Sequence, residues 1–219
     1  QEILPKETSI SPAPYQFTYP AILPDGSVFH LPIRPLNDTP DLAVASLLIS
    51  HASFAVADKL ESELAHLLEP FDADIIIGLP TLGLGPASNV AKILGQSRYV
   101  PLGYSRKFWY DESLSTLLSS ITSPLGEKRV YLDPNLLPLI KGKNVVIIDD
   151  AISSGKTMKA VWDFLESDQI GCDIVACGVL MKQGKKWEEV LGPDRSAKLV
   201  GVFESPLLRA VEGGWFLRE

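Results

Sequence analysis

The segment NVVIIDDAISSGKTM, residues 144–158, carries more structural information than any other part of the chain. It begins with a run of β-branched residues, which is typical of a strand buried inside a parallel sheet. Two carboxylates, Asp149 and Asp150, end that run, and a turn of small hydroxyl residues then leads through Gly155 into a helical pattern. Because ligands of open α/β sheets bind beyond the carboxyl ends of the strands, we expect a binding site here.

The order of these residues suits a ligand that carries both hydroxyl groups and a phosphate. Carboxylates accept hydrogen bonds from vicinal hydroxyls, and the unpaired N–H groups at a helix start can bind a phosphate. Gly155 lets the backbone approach such a ligand closely. Additional hydroxyl donors are available from Ser153, Ser154 and Thr157.

Two other interpretations of the segment are open. Gly155-Lys156-Thr157 could end a nucleotide-binding P-loop, but that motif requires a glycine where this chain has Asp150, which disfavours it. The acidic pair and the serines could also form a plain strand-to-helix turn with a capping residue.

Outward from this segment, strand patterns alternate with helix patterns. Such alternation predicts an α/β fold with an open, mainly parallel sheet flanked by helices. The predicted strands are 74–79, 99–104, 130–132, 143–149, 173–181 and 198–203, and the predicted helices are 86–94 and 156–166.

The N-terminal part follows other patterns. Residues 1–14 are rich in proline and polar residues and predict a loosely held arm. Two β-prone runs around Pro24-Asp25-Gly26 predict a hairpin. A capping pattern at Asp38 predicts one long helix that ends at Leu68, before Pro70. Residues 105–129 fit neither period and predict a functional loop.

Composition excludes some classes of function. The formal net charge of −7 disfavours a nucleic-acid surface, which needs clustered lysine and arginine. No apolar run is long enough to cross a bilayer, so no membrane association is expected. The two cysteines, Cys172 and Cys177, fit no zinc spacing and indicate a reduced pair in a cytoplasmic protein.

The segment from Val145 to Thr157 resembles the phosphoribosyl pyrophosphate signature of the type I phosphoribosyltransferases, which joins a hydrophobic strand, two acidic residues and a Ser/Thr-Gly turn. The resemblance implies that Asp149 and Asp150 hold the ribose hydroxyls and contribute to catalysis. It also implies a cradle for the 5′-phosphate, and the further residues expected to bind the ribose 5-phosphate are Ala151, Ser153, Ser154, Gly155, Lys156 and Thr157.

Two more segments are similar to parts of this family. The strand from Asp74 to Leu79 runs into a glycine-containing turn that resembles the pyrophosphate loop, with Thr81, Leu82 and Gly83 as its contacts. The pair Arg106-Lys107 resembles a catalytic pair of the adenine-type enzymes, placed to neutralise the charge that grows on a leaving diphosphate. A solvated basic pair at a strand end is the alternative.

The resemblance also implies an organisation. Residues 15–219 would form one phosphoribosyltransferase domain behind the arm, with a hood mainly at 15–40 that covers the base. The core would span about 41–203, and 204–219 would be a C-terminal extension. The aromatic run Phe108-Trp109-Tyr110 would stack on a base, anchor the loop or contact the second subunit of a homodimer.

The reaction implied is transfer of the 5-phosphoribosyl group from phosphoribosyl pyrophosphate to a nitrogenous base in nucleotide salvage, with release of pyrophosphate. Mg²⁺ would assist, held indirectly by Asp149 and Asp150 through ribose hydroxyls or water. A purine acceptor is favoured, although Ser153 stands where hypoxanthine-guanine enzymes usually have an aspartate base. Lys182 and Phe203 are the candidate base contacts.

Two rival functions are compatible with the same residues. A regulator of the same fold could sense phosphoribosyl pyrophosphate or a nucleotide without turnover, since fold alone does not establish catalysis. A hydrolase or phosphatase could use Asp149 and Asp150 as metal ligands, although no further acidic cluster in the sequence supports it.

Overall fold

The computed structural model describes residues 2–118 and 128–218. Along the middle of the chain, strands and helices alternate as the sequence predicts. The strands of the described residues are β1 (Glu2–Leu4), β2 (Thr18–Ile22), β3 (Val28–Pro35), β4 (Leu42–Ala45), β5 (Ile75–Gly78), β6 (Val100–Pro101), β7 (Ser115–Leu118), β8 (Lys128–Tyr131), β9 (Asn144–Ile152), β10 (Asp173–Gln183), β11 (Leu199–Ser205), β12 (Leu207–Val211) and β13 (Gly214–Arg218).

Helices pack on both faces of this arrangement. They are α1 (Phe54–Leu68), α2 (Leu84–Ile93), α3 (Leu137–Ile140), α4 (Lys156–Leu165), α5 (Lys186–Leu191) and α6 (Pro193–Ala197). No helix of the described residues is long and apolar enough to span a bilayer. Cys172 and Cys177 are both buried and unpaired.

The centre of the molecule is a five-stranded sheet in the order β11-β10-β9-β5-β6. All of its strand pairs are parallel. Helices flank it, which confirms the predicted α/β class with an open parallel sheet. The carboxyl ends of five neighbouring strands therefore meet at one edge, where the residues after β5, β9 and β10 lie side by side.

Strand β9 is the middle strand of this sheet and is covered on both faces. Val145 and Ile147 face one hydrophobic cluster, which includes Trp162 of α4. Val146 and Ile148 face the other, which includes Leu60 of α1. Because both faces are buried, the strand is apolar throughout instead of alternating, and its end is held rigidly.

A second sheet joins the two ends of the chain. It has six strands, in the order β1-β3-β4-β12-β13, with β2 paired to β3. We call it the outer sheet. A bridge between Tyr15 and Trp215 adds to it, with backbone hydrogen bonds of 2.7 and 2.8 Å. The predicted hairpin around Pro24-Asp25-Gly26 is confirmed as β2 and β3.

The long helix predicted from Asp38 is wrong in its first half. Residues Leu42–Ala45 form β4 between β3 and β12, and α1 starts only at Phe54. The helix start is set by Ser53, whose hydroxyl accepts a hydrogen bond from the Val56 amide at 3.3 Å. The predicted end at Leu68 is confirmed.

Two irregular segments contain more structure than the sequence indicates. Residues 1–14, predicted to be a loosely held arm, include β1, which pairs with β3 in antiparallel register. The segment 105–129, predicted to fit no regular structure, contributes β7 and the start of β8, which pair with each other. The middle of that predicted loop, residues 119–127, lies outside the described residues.

Candidate active site

The acidic pair lies where β9 leaves the core of the sheet. Asp149 and Asp150 are both half-buried, and the Asp150 amide donates a hydrogen bond of 2.9 Å to Oδ1 of Asp149. Burial raises the pKa of Asp149 well above its usual range, and the charge of Asp150 adds to this effect. Burial also raises the pKa of Asp150. The two carboxyl groups therefore share a site that favours bound cations or hydroxyl donors over two bare charges.

A small cavity of about 210 Å³ opens beside this pair. It brings together most of the residues that the sequence predicts for the ribose 5-phosphate. Its lining consists of Asp149, Ala151, Ile152, Ser153, Ser154, Gly155, Thr157 and Met158.

Gly155 fixes the turn between β9 and α4. Its φ of +76° lies in the left-handed region that favours glycine, and it is the residue that caps α4. A Cβ atom here would also come within 3.0 to 3.2 Å of the backbone and Cβ of Trp187. Trp187 is itself fixed by a hydrogen bond of 3.1 Å from its indole N–H to the Gly184 carbonyl. Trp187 therefore packs against the turn, and the N–H groups at the start of α4 follow the turn directly.

The predicted pyrophosphate loop touches the acidic pair directly. A Cβ atom on Gly83 would lie 2.8 Å from Cα and Oδ1 of Asp149 and from the Ile148 carbonyl oxygen. Only glycine therefore allows this approach. Thr81 at the tip of the loop is exposed, and Leu82 is half-buried. The peptide bond between Pro80 and Thr81 is cis.

The predicted catalytic cations lie on a more exposed segment. Arg106 forms an ion pair of 3.0 Å with Glu112, and both side chains are more than half exposed. Lys107 is also exposed. Nearby, the Trp109 indole donates a hydrogen bond of 3.0 Å to Asp133. In this conformation the Arg106 charge is directed along its own segment, not towards the acidic pair.

The two predicted base contacts differ in their surroundings. Lys182 pairs in register with Ile152 at the same edge of the sheet, and its ammonium forms an ion pair of 3.1 Å with Glu204. Phe203 is only 3% exposed and packs edge to face on Phe29, with ring centroids 5.6 Å apart. Because the Phe203 ring is buried in a hydrophobic cluster, a base could stack on it only if its neighbours moved.

Sequence reasoning missed two residues beside the site. Tyr104 ends the predicted strand 99–104, and its hydroxyl donates a hydrogen bond of 2.7 Å to the Pro80 carbonyl. The Lys128 ammonium lies 3.9 Å from the centre of the Tyr104 ring. Tyr104 directly precedes Ser105-Arg106-Lys107, so its position was a usable signal. No sequence signal marked Lys128, because pairing between residues distant in the chain brings it beside Tyr104.

The side chains of the site that could hold a metal ion are the two carboxylates. Among residues 2–118 and 128–218, no group of three or more histidine, cysteine, aspartate or glutamate side chains is arranged to hold a metal ion. Mg²⁺ usually takes one or two carboxylates together with substrate phosphates and waters. Asp149 and Asp150 fit that mode and do not form a complete protein cage.

Comparison with known families agrees with this geometry. A family model described as "Phosphoribosyl transferase domain" matches residues 43–205. The chain belongs to this family. The matched range contains the acidic pair, the Gly155 turn, the Gly83 loop and the Arg106-Lys107 pair, so the predicted family is confirmed.

Curated proteins with sequence similarity include two with purine names and several amidophosphoribosyltransferases. Xanthine phosphoribosyltransferase of Chloroflexus aurantiacus is 29% identical over 121 residues, which cover 55% of this chain and 54% of that protein. The chain thus spans about half the length of this relative. Adenine phosphoribosyltransferase of Nitrosococcus oceani is 28% identical over 152 residues, which cover 67% of this chain and 84% of that protein.

Solved structures of the family have the same fold. Adenine phosphoribosyltransferase from Thermoanaerobacter pseudethanolicus superposes with a TM-score of 0.62 at 18% identity, covering 80% of this chain and 95% of that one. The corresponding enzyme from Saccharomyces cerevisiae gives a TM-score of 0.60 at 20% identity, covering 78% and 93%. At these identities the likeness concerns the fold alone.

Proposed function

We propose that this chain is a phosphoribosyltransferase. It transfers the 5-phosphoribosyl group from phosphoribosyl pyrophosphate to a nitrogenous base, with a purine favoured, and releases pyrophosphate. The observation that carries the proposal is the contact between the Gly83 loop and Asp149, beside the cavity of the Gly155 turn. This contact puts a loop suited to a diphosphate and a turn suited to a phosphate on either side of two carboxylates suited to ribose hydroxyls.

In the proposed complex, each part of the site binds one part of the substrate. Asp149 and Asp150 accept hydrogen bonds from the ribose hydroxyls, and the 5′-phosphate lies against the start of α4. The backbone of Thr81, Leu82 and Gly83 binds the diphosphate. Backbone N–H groups then donate hydrogen bonds to the 5′-phosphate and to the diphosphate, while the two carboxylates orient the sugar between them.

Mg²⁺ is the proposed cofactor. When bound, it would neutralise charge on the diphosphate, and Asp149 and Asp150 would hold it indirectly, through ribose hydroxyls or water. The half-buried acidic pair suits it because two carboxylates in a poorly solvated place need positive charge nearby. Bond breaking at the sugar leaves negative charge on the pyrophosphate, and Arg106 with Lys107 stabilises that charge. This role requires their segment to turn inwards from the Arg106–Glu112 pair.

The acceptor is proposed to lie between the edge of the parallel sheet and the outer sheet, which then serves as the hood. Two contacts hold these sheets together at that point: the Gln183 amide and the Ser205 hydroxyl both bond the Ala45 carbonyl, at 3.1 and 3.2 Å. Lys182 projects from the same strand end as Gln183. The names of the xanthine and adenine relatives support a purine acceptor.

We also propose a homodimer. Phe108 is 97% exposed and Trp109 is 48% exposed on the segment after β6, and the two rings contact each other, which makes them an exposed aromatic pair that a second subunit could cover. Light scattering of the purified protein tests this, and a Phe108→Ser variant that stays dimeric would place the contact elsewhere.

The test of function is a titration followed by an assay. Calorimetry with phosphoribosyl pyrophosphate and Mg²⁺ measures binding, and a panel of purine and pyrimidine bases is then screened for pyrophosphate release. Binding together with release for one base supports the proposal and names the acceptor. Binding without release for any base would favour a sensing regulator, and absence of binding would refute the proposed function.

A further inference from the structure

Lys128 and Arg129 are adjacent basic residues of β8 that lie on opposite sides of the strand. Alternate residues of a strand share a face, so Lys128 lies on the same side as the buried Val130, although its own side chain, at the start of the strand, is exposed. Arg129 lies on the other side, where its guanidinium donates a hydrogen bond of 2.7 Å to the Ser115 hydroxyl. The two adjacent cations thus have different surroundings.

The β8 strand is fastened next to the site by its backbone. Tyr131 exchanges two hydrogen bonds with Gly103, of 2.8 and 3.1 Å, just beyond the end of β6. This bridge puts Tyr104 beside the start of β8. The Lys128 ammonium consequently lies over the Tyr104 ring, 3.9 Å from its centre.

Tyr104 links this ammonium to the predicted pyrophosphate loop. Its hydroxyl donates to the Pro80 carbonyl at 2.7 Å, immediately before the loop residues Thr81 to Gly83. The ring is half-buried against the core cluster that contains Val130. The ring thus has a fixed position, and it holds the cation at the side of the loop that faces β8.

The loop that Tyr104 contacts also packs on the acidic pair, since a Cβ atom on Gly83 would lie 2.8 Å from Oδ1 of Asp149. Tyr104 thus contacts both the Lys128 ammonium and the residue that starts this loop. No ion pair joins Lys128 to another residue of the described ranges.

We propose that Lys128 binds the diphosphate of phosphoribosyl pyrophosphate, with the Tyr104 ring as the resting place of its ammonium before the substrate arrives. This inference rests on the proposed function. A diphosphate beside two carboxylates needs more cations than the exposed Arg106-Lys107 pair provides in this conformation. The attraction between an ammonium and an aromatic ring is weak, so a phosphate oxygen readily takes its place.

The experiment measures the two halves of the substrate separately. Inorganic pyrophosphate and ribose 5-phosphate, each with Mg²⁺, are titrated into the wild type and Lys128→Met. We expect the variant to bind pyrophosphate about tenfold more weakly, as for loss of one charge-assisted hydrogen bond, and to bind ribose 5-phosphate normally. Lys128→Arg should recover most of the pyrophosphate affinity. Arg129→Met is the matched control, since it removes the same charge one residue away on the opposite face, and it should bind pyrophosphate normally.

Tyr104 provides a second, independent measurement. Tyr104→Leu is compared with Tyr104→Phe, so that both variants lack the hydrogen bond to Pro80 and differ only in the ring. The loss of the ring should weaken pyrophosphate binding by a smaller factor, about threefold, because the ammonium loses its fixed position. In the double variant with Lys128→Met this factor should disappear, since the ring then has no cation to hold.

Three results would overturn the inference. In the first, Lys128→Met binds pyrophosphate as well as the wild type or better, and Lys128 then only offsets the charge of Asp149. In the second, affinity for ribose 5-phosphate falls by the same factor. In the third, Arg129→Met has the same effect as Lys128→Met. If the wild type binds neither pyrophosphate nor phosphoribosyl pyrophosphate, the proposed function fails and the role of Lys128 fails with it.

Discussion

The turn after β9 is enclosed by its neighbours, whereas the segment after β6 extends into solvent. Gly155 rests against Trp187, and Asp149 rests against Gly83, so both ends of that turn are fixed by backbone contacts. By contrast, Arg106 pairs with Glu112 in solvent and Phe108 is almost fully exposed. The part proposed to bind the sugar is thus formed in advance, and the part proposed to act on the leaving group has to move. The variants below test this division, from the largest expected effect to the smallest.

Asp150→Asn should nearly abolish binding of phosphoribosyl pyrophosphate. The amide loses the negative charge that makes hydrogen bonds from hydroxyls strong, and affinity should fall by about a hundredfold or more. Calorimetry measures the affinity, and circular dichroism checks that the variant is folded. An affinity within twofold of the wild type would show that the enclosed turn is not the sugar site.

Lys107→Ala should lower turnover far more than binding. Removing one group that stabilises developing charge commonly lowers kcat by about a hundredfold, and a residue that acts only after closure contributes little to affinity. The assay is pyrophosphate release with the acceptor base that the panel of bases identifies. Lys92→Ala, an exposed lysine on α2, is the control and should be unchanged. Equal losses in kcat and affinity would mean that the exposed segment is also formed in advance.

Gly83→Ala should destabilise the fold, and Gly85→Ala should not. The added methyl on Gly83 would collide with Asp149 and Ile148 at 2.8 Å, at a cost of about 1 to 3 kcal/mol. Gly85 is in α2 with nothing within 4 Å of an added Cβ, so alanine should raise the free energy of unfolding by up to about 1 kcal/mol. Urea unfolding measures both. Equal effects would contradict the tight contact between loop and acidic pair.

Asp149→Asn should stabilise the protein in the absence of ligand and Mg²⁺, more at pH 8 than at pH 5. The pKa of Asp149 is raised in the folded state, so the fold binds its proton more tightly than the unfolded chain does. The stability that this tighter proton binding provides is fully present below the ordinary aspartate pKa. It is lost as the pH rises through the raised pKa that Asp149 has in the folded protein. Asparagine removes this loss, worth about 1.4 kcal/mol for each tenfold change in proton affinity. A pH-independent difference between the two proteins would contradict the raised pKa.

The strand, turn and helix start that form the candidate site were predictable from sequence because they are local. The β9 strand, the acidic pair and the Gly155 turn are consecutive, and a buried strand with a helix start is encoded by neighbouring residues. The predicted fold and family, which rest on the same consecutive residues, were confirmed. The assignments of individual site residues remain predictions until the variants above are measured.

What the sequence could not show depends on pairing across long distances. Residues Leu42–Ala45 have a helix-compatible pattern but form β4, because β3 and β12 provide partners on both sides. Strand β1 likewise exists only through its pairing with β3. Lys128 reaches the site because the bridge between Gly103 and Tyr131 brings β8 to it. In each case pairing with a strand distant in the sequence determines the structure, and the local sequence does not reveal that pairing.

The outer sheet has a consequence for how the protein is made. Its strand β4 pairs with β12, so the sheet needs residues 207–211 before its inner strands are complete. Those residues leave the ribosome after every strand of the parallel sheet has emerged, and pairings between distant strands form slowly. A nascent chain can thus assemble the β9 turn while its cover is still missing. We expect nascent chains that end before β12 to leave the backbone edge of β4 unpaired and to depend on chaperones until synthesis passes β12.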